Sequence, residues 1–150
     1  MSIAVKPLTI LMADDDADDR LLAHDAIAEC GLEAELRCVE NGEELLDYLQ
    51  RRGKFSDPAT SPRPSLILLD LNMPRKDGRE ALREIKSNPE FRRTPVVVFT
   101  TSKADTDIGQ IYDIGANSFI SKPVSFESLV EVMKTLGRYW CATVRLPFKP

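Results

Sequence analysis

Three short runs constrain this chain more than any other feature. Leu8–Ala13, Leu66–Leu69 and Val96–Phe99 are apolar almost without a break. A strand with one face in water alternates apolar and polar residues, so runs like these mark strands covered on both faces. The third and fourth β-like segments extend to Ser65–Asp70 and Pro95–Thr100, and Ala34–Val39 and Asn117–Ser121 bring the number to five.

Helical patterns fall between them. Ala17–Cys30 places Leu21, Leu22, Ala26, Ile27 and Cys30 toward one side and stops at Gly31, a favoured C-terminal residue. A second helix starts after Asn41 with Leu45, Leu46 and Leu49 at helical spacing. A third runs from near Asp77 to Ser87, ended by Asn88-Pro89. A fourth lies near Ala104–Asp113, and a fifth runs from Ser125 to about Trp140, with Ser125 as cap and Glu127 in its first turn. This alternation predicts βαβ units with right-handed crossovers, and so a parallel sheet between helical layers. Ligands of such sheets bind outside the carboxyl ends of the strands.

With 150 residues the chain fits one domain, 1–150, and leaves no room for a second. A net charge of −4 argues against nucleic acid as a direct partner, because holding a phosphate backbone needs a basic face. No apolar run approaches the ~18–20 residues that cross a bilayer. Met1–Ile10 lacks the layout of a signal peptide, with Pro7 interrupting it, so a cytoplasmic protein is expected. Cys30, Cys38 and Cys141 are odd in number, have no CxxC spacing and share the chain with one histidine. They read as packing residues and not as a disulfide framework or zinc site.

The strand ends carry the chemistry. Asp14-Asp15 follow the first apolar run, Asp70 the third strand, Thr100 the fourth, and Lys122 follows Phe119-Ile120 of the fifth. An acid pair, a lone acid, a hydroxyl and an amine converging on one sheet edge describe a phosphoryl-accepting site. A dianionic donor is repelled by crowded acids, and a hard divalent cation resolves this. Asp15 and Asp70 suit direct coordination with a backbone carbonyl near Asn72, and Asp14 suits a contact through water. Lys122 is placed to pair with charge on the transferred group, and Thr100 to offer it a hydroxyl. Asp16, Asp18 and Asp19 read as caps or first-turn acids, and His24, alone in mid-helix, as an ordinary surface or packing residue.

This order of residues resembles the receiver domains of bacterial response regulators. The resemblance is carried by Asp14-Asp15, Asp70-Leu71-Asn72-Met73-Pro74 with Asp77-Gly78, Thr100, and Lys122-Pro123, and spans about Thr9–Gly137. It implies an α/β, flavodoxin-like doubly wound (βα)5 fold whose five-stranded parallel sheet has the order 2-1-3-4-5. It further implies Asp70 as phosphoacceptor, Mg²⁺ held by Asp14, Asp15, Asp70 and the carbonyl of Asn72, and Thr100 and Lys122 binding the phosphoryl group. The family's switch pair falls on Thr100 and Phe119; Phe lacks the hydroxyl of the commoner Tyr, so the rotamer switch is expected to be purely steric. The Lys122-Pro123 bond is expected to be cis. Asn72 and Ser102 flank the site and are expected to tune self-dephosphorylation. A sensor histidine kinase is the implied donor, and the chain would catalyse only its own phosphorylation and dephosphorylation.

Two features lie outside that pattern. The segment Gly53–Pro64 holds Pro58, Pro62 and Pro64 and reads as a surface insertion or a docking loop. The last helix carries two apolar stripes: Val130, Met133, Gly137 and Trp140, and Leu129, Val132, Leu136 and Tyr139. A helix on a sheet buries one stripe, so the second is expected to meet another copy of the chain unless the tail, 138–150, folds back over it. The insertion and tail look like those of stand-alone regulators paired with phytochrome-type histidine kinases, which tend to dimerise. The sequence stops at Pro150, so no output domain is expected.

Two other readings are a receiver-fold scaffold that is never phosphorylated and a phosphatase of the haloacid dehalogenase class. That class resembles Asp-x-Asp-x-Thr, whereas Asn72 here stands where its acid/base would be.

Overall fold

The computed structural model describes residues 8–101 and 105–147. Five strands form one parallel sheet: β1 (Leu8–Ala13), β2 (Ala34–Val39), β3 (Leu66–Leu69), β4 (Val96–Thr100) and β5 (Ser118–Ser121). The helices are α1 (Ala17–Glu29), α2 (Gly42–Gln50), α3 (Gly78–Ser87), α4 (Asp105–Ile114) and α5 (Phe126–Leu136). The strand order is β2-β1-β3-β4-β5, as the resemblance implies. Every neighbouring pair is parallel, with Ala13 opposite both Val39 and Leu69, so the carboxyl ends of β1, β2 and β3 are level.

The apolar runs are uninterrupted because each strand feeds two cores. On one face Leu11, Ala13, Ile67, Leu69, Val96 and Val98 pack with Leu45, Leu82, Ile85 and Ile111 of α2, α3 and α4. On the other, Ile10, Met12, Leu68, Val97 and Phe99 pack with Ala26, Ile27, Val130 and Met133 of α1 and α5. The period-2 alternation of a strand divides its side chains between the two layers.

Two expectations change here. The buried stripe of α1 is Ala23, Ala26 and Ile27, while Leu21 and Leu22 face solvent, 60% and 41% exposed. Alanines at that seam let α1 lie close against α5, and the stripe is rotated away from the leucines. On α5, Leu129 and Leu136 are not free for a partner: both are buried in this chain's own core, together with Val130 and Met133. The helix packs beside α1 on the same face of the sheet, so the arc it buries takes in residues of both stripes, Leu129 and Leu136 as well as Val130 and Met133. Val132 is half-buried, and Tyr139 remains exposed.

Beyond Leu136 the helix widens into a π-helical segment, Gly137–Thr143. Gly137 passes so close to the α1–β2 connection that a Cβ there would sit 2.5 Å from Leu32 Cδ1. Trp140 packs beside it on the second core, ring-edge to Tyr139. The insertion is also tied down. Tyr48 Oη donates to the carbonyl of Pro62 at 2.7 Å, Phe55 lies against the Tyr48 ring, and Ser61 is buried.

Candidate functional site

The carboxyl ends of β1, β3, β4 and β5 bring their polar residues to one crevice. Asp14 is fixed at its backbone, where its N–H donates to Val39 O and its carbonyl accepts from Arg20 Nη1 at 2.8 Å. Its Oδ1 accepts the N–H of Asp16 at 3.0 Å. Asp70 continues the β1–β3 ladder through its N–H to Ala13 O. The loop after it is held by Gly78, whose N–H donates to Leu71 O. A Cβ on Gly78 would lie 2.2 Å from the carbonyl oxygen of Asp70, so that position cannot take a side chain without moving the acid.

Asp70 is met from three directions. Its Oδ1 accepts from Thr100 Oγ1 at 2.7 Å and from the Asn72 N–H at 3.2 Å, and its Oδ2 accepts from Lys122 Nζ at 3.0 Å. Thr100 is fully buried. Lys122 Nζ also lies 2.7 Å from Asp14 Oδ2 and 2.8 Å from Asp19 Oδ2. Burial opposes charge on this lysine, yet Asp14, Asp19 and Asp70 together raise its pKa above the ordinary lysine range. Burial raises the Asp14 pKa, and Lys122 offsets only part of that.

Asp14, Asp15 and Asp70 each offer an oxygen within 4.8 Å of the others. Oxygen donors of this charge and spacing fit a hard divalent cation. Asp14 Oδ2 adds to the fit: it is buried and meets Lys122 as an ion pair, without a well-aligned hydrogen bond.

Asp14, Asp15, Asp70, Thr100 and Lys122 therefore converge, with the exposed Asn72 at the rim. Phe119 does not join their contacts; it packs half-buried against the core, and its N–H donates to Tyr112 Oη at 3.2 Å. Ser102 lies outside the described residues. The Lys122-Pro123 bond is trans, contrary to the expectation of cis. Trans is the lower-energy isomer by roughly 0.5–1 kcal/mol for a residue before proline, and from it Lys122 already reaches three carboxylates. Asp16 caps α1, accepting from the N–H groups of Asp18 and Asp19. The residue that the sequence reading missed is Asp19. In the sequence it reads as a cap or first-turn acid, yet the first turn of α1 opens onto the same crevice as the strand ends.

The fold and the crevice define a doubly wound α/β domain with an acid cluster, a hydroxyl and an ammonium gathered at its ligand edge. A family model described as response regulator receiver domain matches residues 10–134, and the chain belongs to that family. It is similar to the response regulator Rcp1 of Synechocystis sp., with 38% identity over 141 residues, 94% of each chain. A structure of the phosphorylated cyanobacterial phytochrome response regulator RcpA superposes with a TM-score of 0.86 at 39% identity, covering 97% of this chain and 100% of that one. The Mn²⁺-bound form of Rcp1 gives 0.84 at 37% identity, covering 95% of this chain and 100% of that one. The chain is thus a two-component response regulator receiver, related to phytochrome response regulators. Among the described residues, no helix is long and apolar enough to cross a membrane.

Proposed function

We propose that residues 1–150 act as a single receiver domain, that Asp70 is its phosphoacceptor, and that the donor is a phytochrome-type histidine kinase. The reading rests above all on the contacts of Asp70. One oxygen is oriented by Thr100 and the other by Lys122, inside a cluster of acids suited to a cation. In the transfer, an Asp70 carboxylate oxygen forms a bond to the phosphorus of a phosphohistidine. The P–N bond breaks, and the imidazole nitrogen leaves with its electron pair and takes up a proton. Asp14, Asp15, Asp70 and the carbonyl of Asn72 would hold Mg²⁺, which when bound offsets negative charge on the donor and the acids. Lys122 pairs with a phosphoryl oxygen, and Thr100 turns its hydroxyl to another. The only chemistry assigned to the chain is gain and loss of its own phosphoryl group.

Relatives support the reading. RcpA was observed phosphorylated and Rcp1 with Mn²⁺ bound. Movement of Thr100 toward the phosphoryl group leaves space that Phe119 fills, a steric switch that changes partner binding. Dimerisation through Tyr139, Val132 and the tail completes the proposal, with a cytoplasmic location and no direct contact with nucleic acid. Asn72, an amide where a phosphatase would need its acid/base, gives the enzyme reading no support.

Intact mass after incubation with acetyl phosphate tests this. The wild type is expected to gain a Mg²⁺-dependent, hydroxylamine-labile phosphoryl adduct that Asp70→Asn does not form. An equal adduct in Asp70→Asn would move the acceptor elsewhere, and no adduct in the wild type would favour a scaffold.

A further inference from the structure

The ammonium of Lys122 has three hydrogens and three carboxylate neighbours: Asp14 at 2.7 Å, Asp19 at 2.8 Å and Asp70 at 3.0 Å. A lysine offers three donors and no acceptor; here the ammonium donates to Asp19 and Asp70 and pairs with Asp14 by charge. Asp14 and Asp70 belong to the cluster that suits a cation, and Asp19 does not. Once Asp14 and Asp70 turn oxygens to a cation, and Asp70 carries a phosphoryl group, Asp19 is the partner Lys122 keeps.

The position of Asp19 is itself fixed. It stands in the first turn of α1, where its N–H is held by the Asp16 cap. The Asp19–Lys122 pair borders a small cleft lined on its inner side by the buried Phe99 and Leu129. Apolar walls on one side lower the local dielectric and strengthen the pair. A lysine on its flexible four-carbon stem needs such an anchor more than a planar guanidinium does.

We propose that Asp19 is a positioning residue for phosphoryl transfer, holding Lys122 Nζ from the α1 side so that the ammonium meets the incoming phosphoryl oxygen. This rests on the reading of Asp70 as phosphoacceptor. The charge of Asp19 also repels a dianionic donor, but the side chain is 34% exposed and already paired, so solvent and salt screen that repulsion. Loss of the anchor outweighs relief of repulsion.

The test compares wild type, Asp19→Ala, Lys122→Ala and the double variant, using acetyl phosphate and Mg²⁺. Asp19→Ala is expected to lower the maximal phosphorylation rate about tenfold, as a misplaced catalytic group does. Its half-saturating Mg²⁺ concentration should stay within about twofold, because Asp19 is not a ligand. In the Lys122→Ala background the same change should cost nothing further, since both act through one ammonium. In Mg²⁺-loaded protein labelled with ¹⁵N-lysine, the Lys122 ammonium resonance should be sharp in the wild type and lost to solvent exchange in Asp19→Ala. An unchanged or faster rate, a matching loss of Mg²⁺ affinity, an equal loss without Lys122, or an unaltered resonance would each overturn the proposal. A wild type that takes up no phosphoryl group overturns the phosphoacceptor reading along with it. An adduct in the wild type with an indifferent Asp19→Ala overturns this inference alone.

Discussion

Asp14 is the most deeply buried acid among the described residues, and that burial carries a cost. It is fully buried, and desolvation raises its pKa from 3.8 despite the opposing pull of Lys122. A carboxyl whose pKa rises on folding binds its proton more tightly in the native state. Its contribution is therefore favourable below about pH 3.8 and is lost as pH rises through the raised value. At neutral pH and without metal, ionised Asp14 works against the fold. Asp14→Asn should accordingly raise the melting temperature at pH 7 in the presence of chelator, and the gain should vanish toward pH 4. A gain that persists at low pH would show that the effect is not ionisation. A charge held against stability in this way is characteristic of sites that need it where water would otherwise hold it.

At the scale of elements, the strands were the most legible part of the sequence. Their signal is an unbroken apolar run, and a doubly covered strand leaves no other pattern for its core positions. The third, fourth and fifth strands begin one residue later than expected, and the third also ends one earlier. The site followed because four strand ends are read directly once the strands are known. Asp19 was not legible, since a helix-start acid looks the same whether or not a lysine from 103 residues away reaches it. The helices were read less well for a related reason. Periodicity gives the spacing of apolar residues but not which arc faces inward: α1 buries Ala23, Ala26 and Ile27 and leaves Leu21 and Leu22 outside, while α5 buries Leu129 and Leu136 of the second stripe along with Val130 and Met133 of the first. This makes a contrast that size alone would not suggest. Met133→Ala on α5 should cost about 2–5 kcal/mol by opening a cavity beside the sheet. Leu22→Ala on α1 should stay within about 0.5 kcal/mol, as exposed changes do. Urea unfolding of the two variants checks this, and comparable losses would place Leu22 in the core.

At the scale of the whole molecule, α5 links two ends that the site itself does not. Its cap, Ser125, stands three residues past Lys122, and its continuation passes Leu32 at the opposite edge of the sheet, just ahead of β2. Eleven residues of α-helix span roughly 16 Å, so α5 is a rigid strut from the acid crevice at the strand ends to the far rim. With Leu129 and Leu136 committed to this chain's own core, the surface left for a second copy is narrower than the two-stripe pattern suggested. It consists of half-buried Val132 and exposed Tyr139, the latter braced edge-on by Trp140. A rigid aromatic presented by a packed neighbour suits an interface anchor. Tyr139 also stands on a segment fixed at Gly137, so displacement of α5 at its site end would be carried to it. Sedimentation velocity of the full chain should therefore give a dimer for the wild type and a monomer for Tyr139→Arg, with acetyl phosphate labelling of Asp70 equally fast in both. Leu136→Arg, by contrast, should unfold the domain, because its target is the core. A wild-type monomer before and after phosphorylation, or a Tyr139→Arg dimer, would remove the tail from the proposed assembly. A Tyr139→Arg monomer that is also labelled more slowly would mean that the strut carries information in the reverse direction, from the interface to the site.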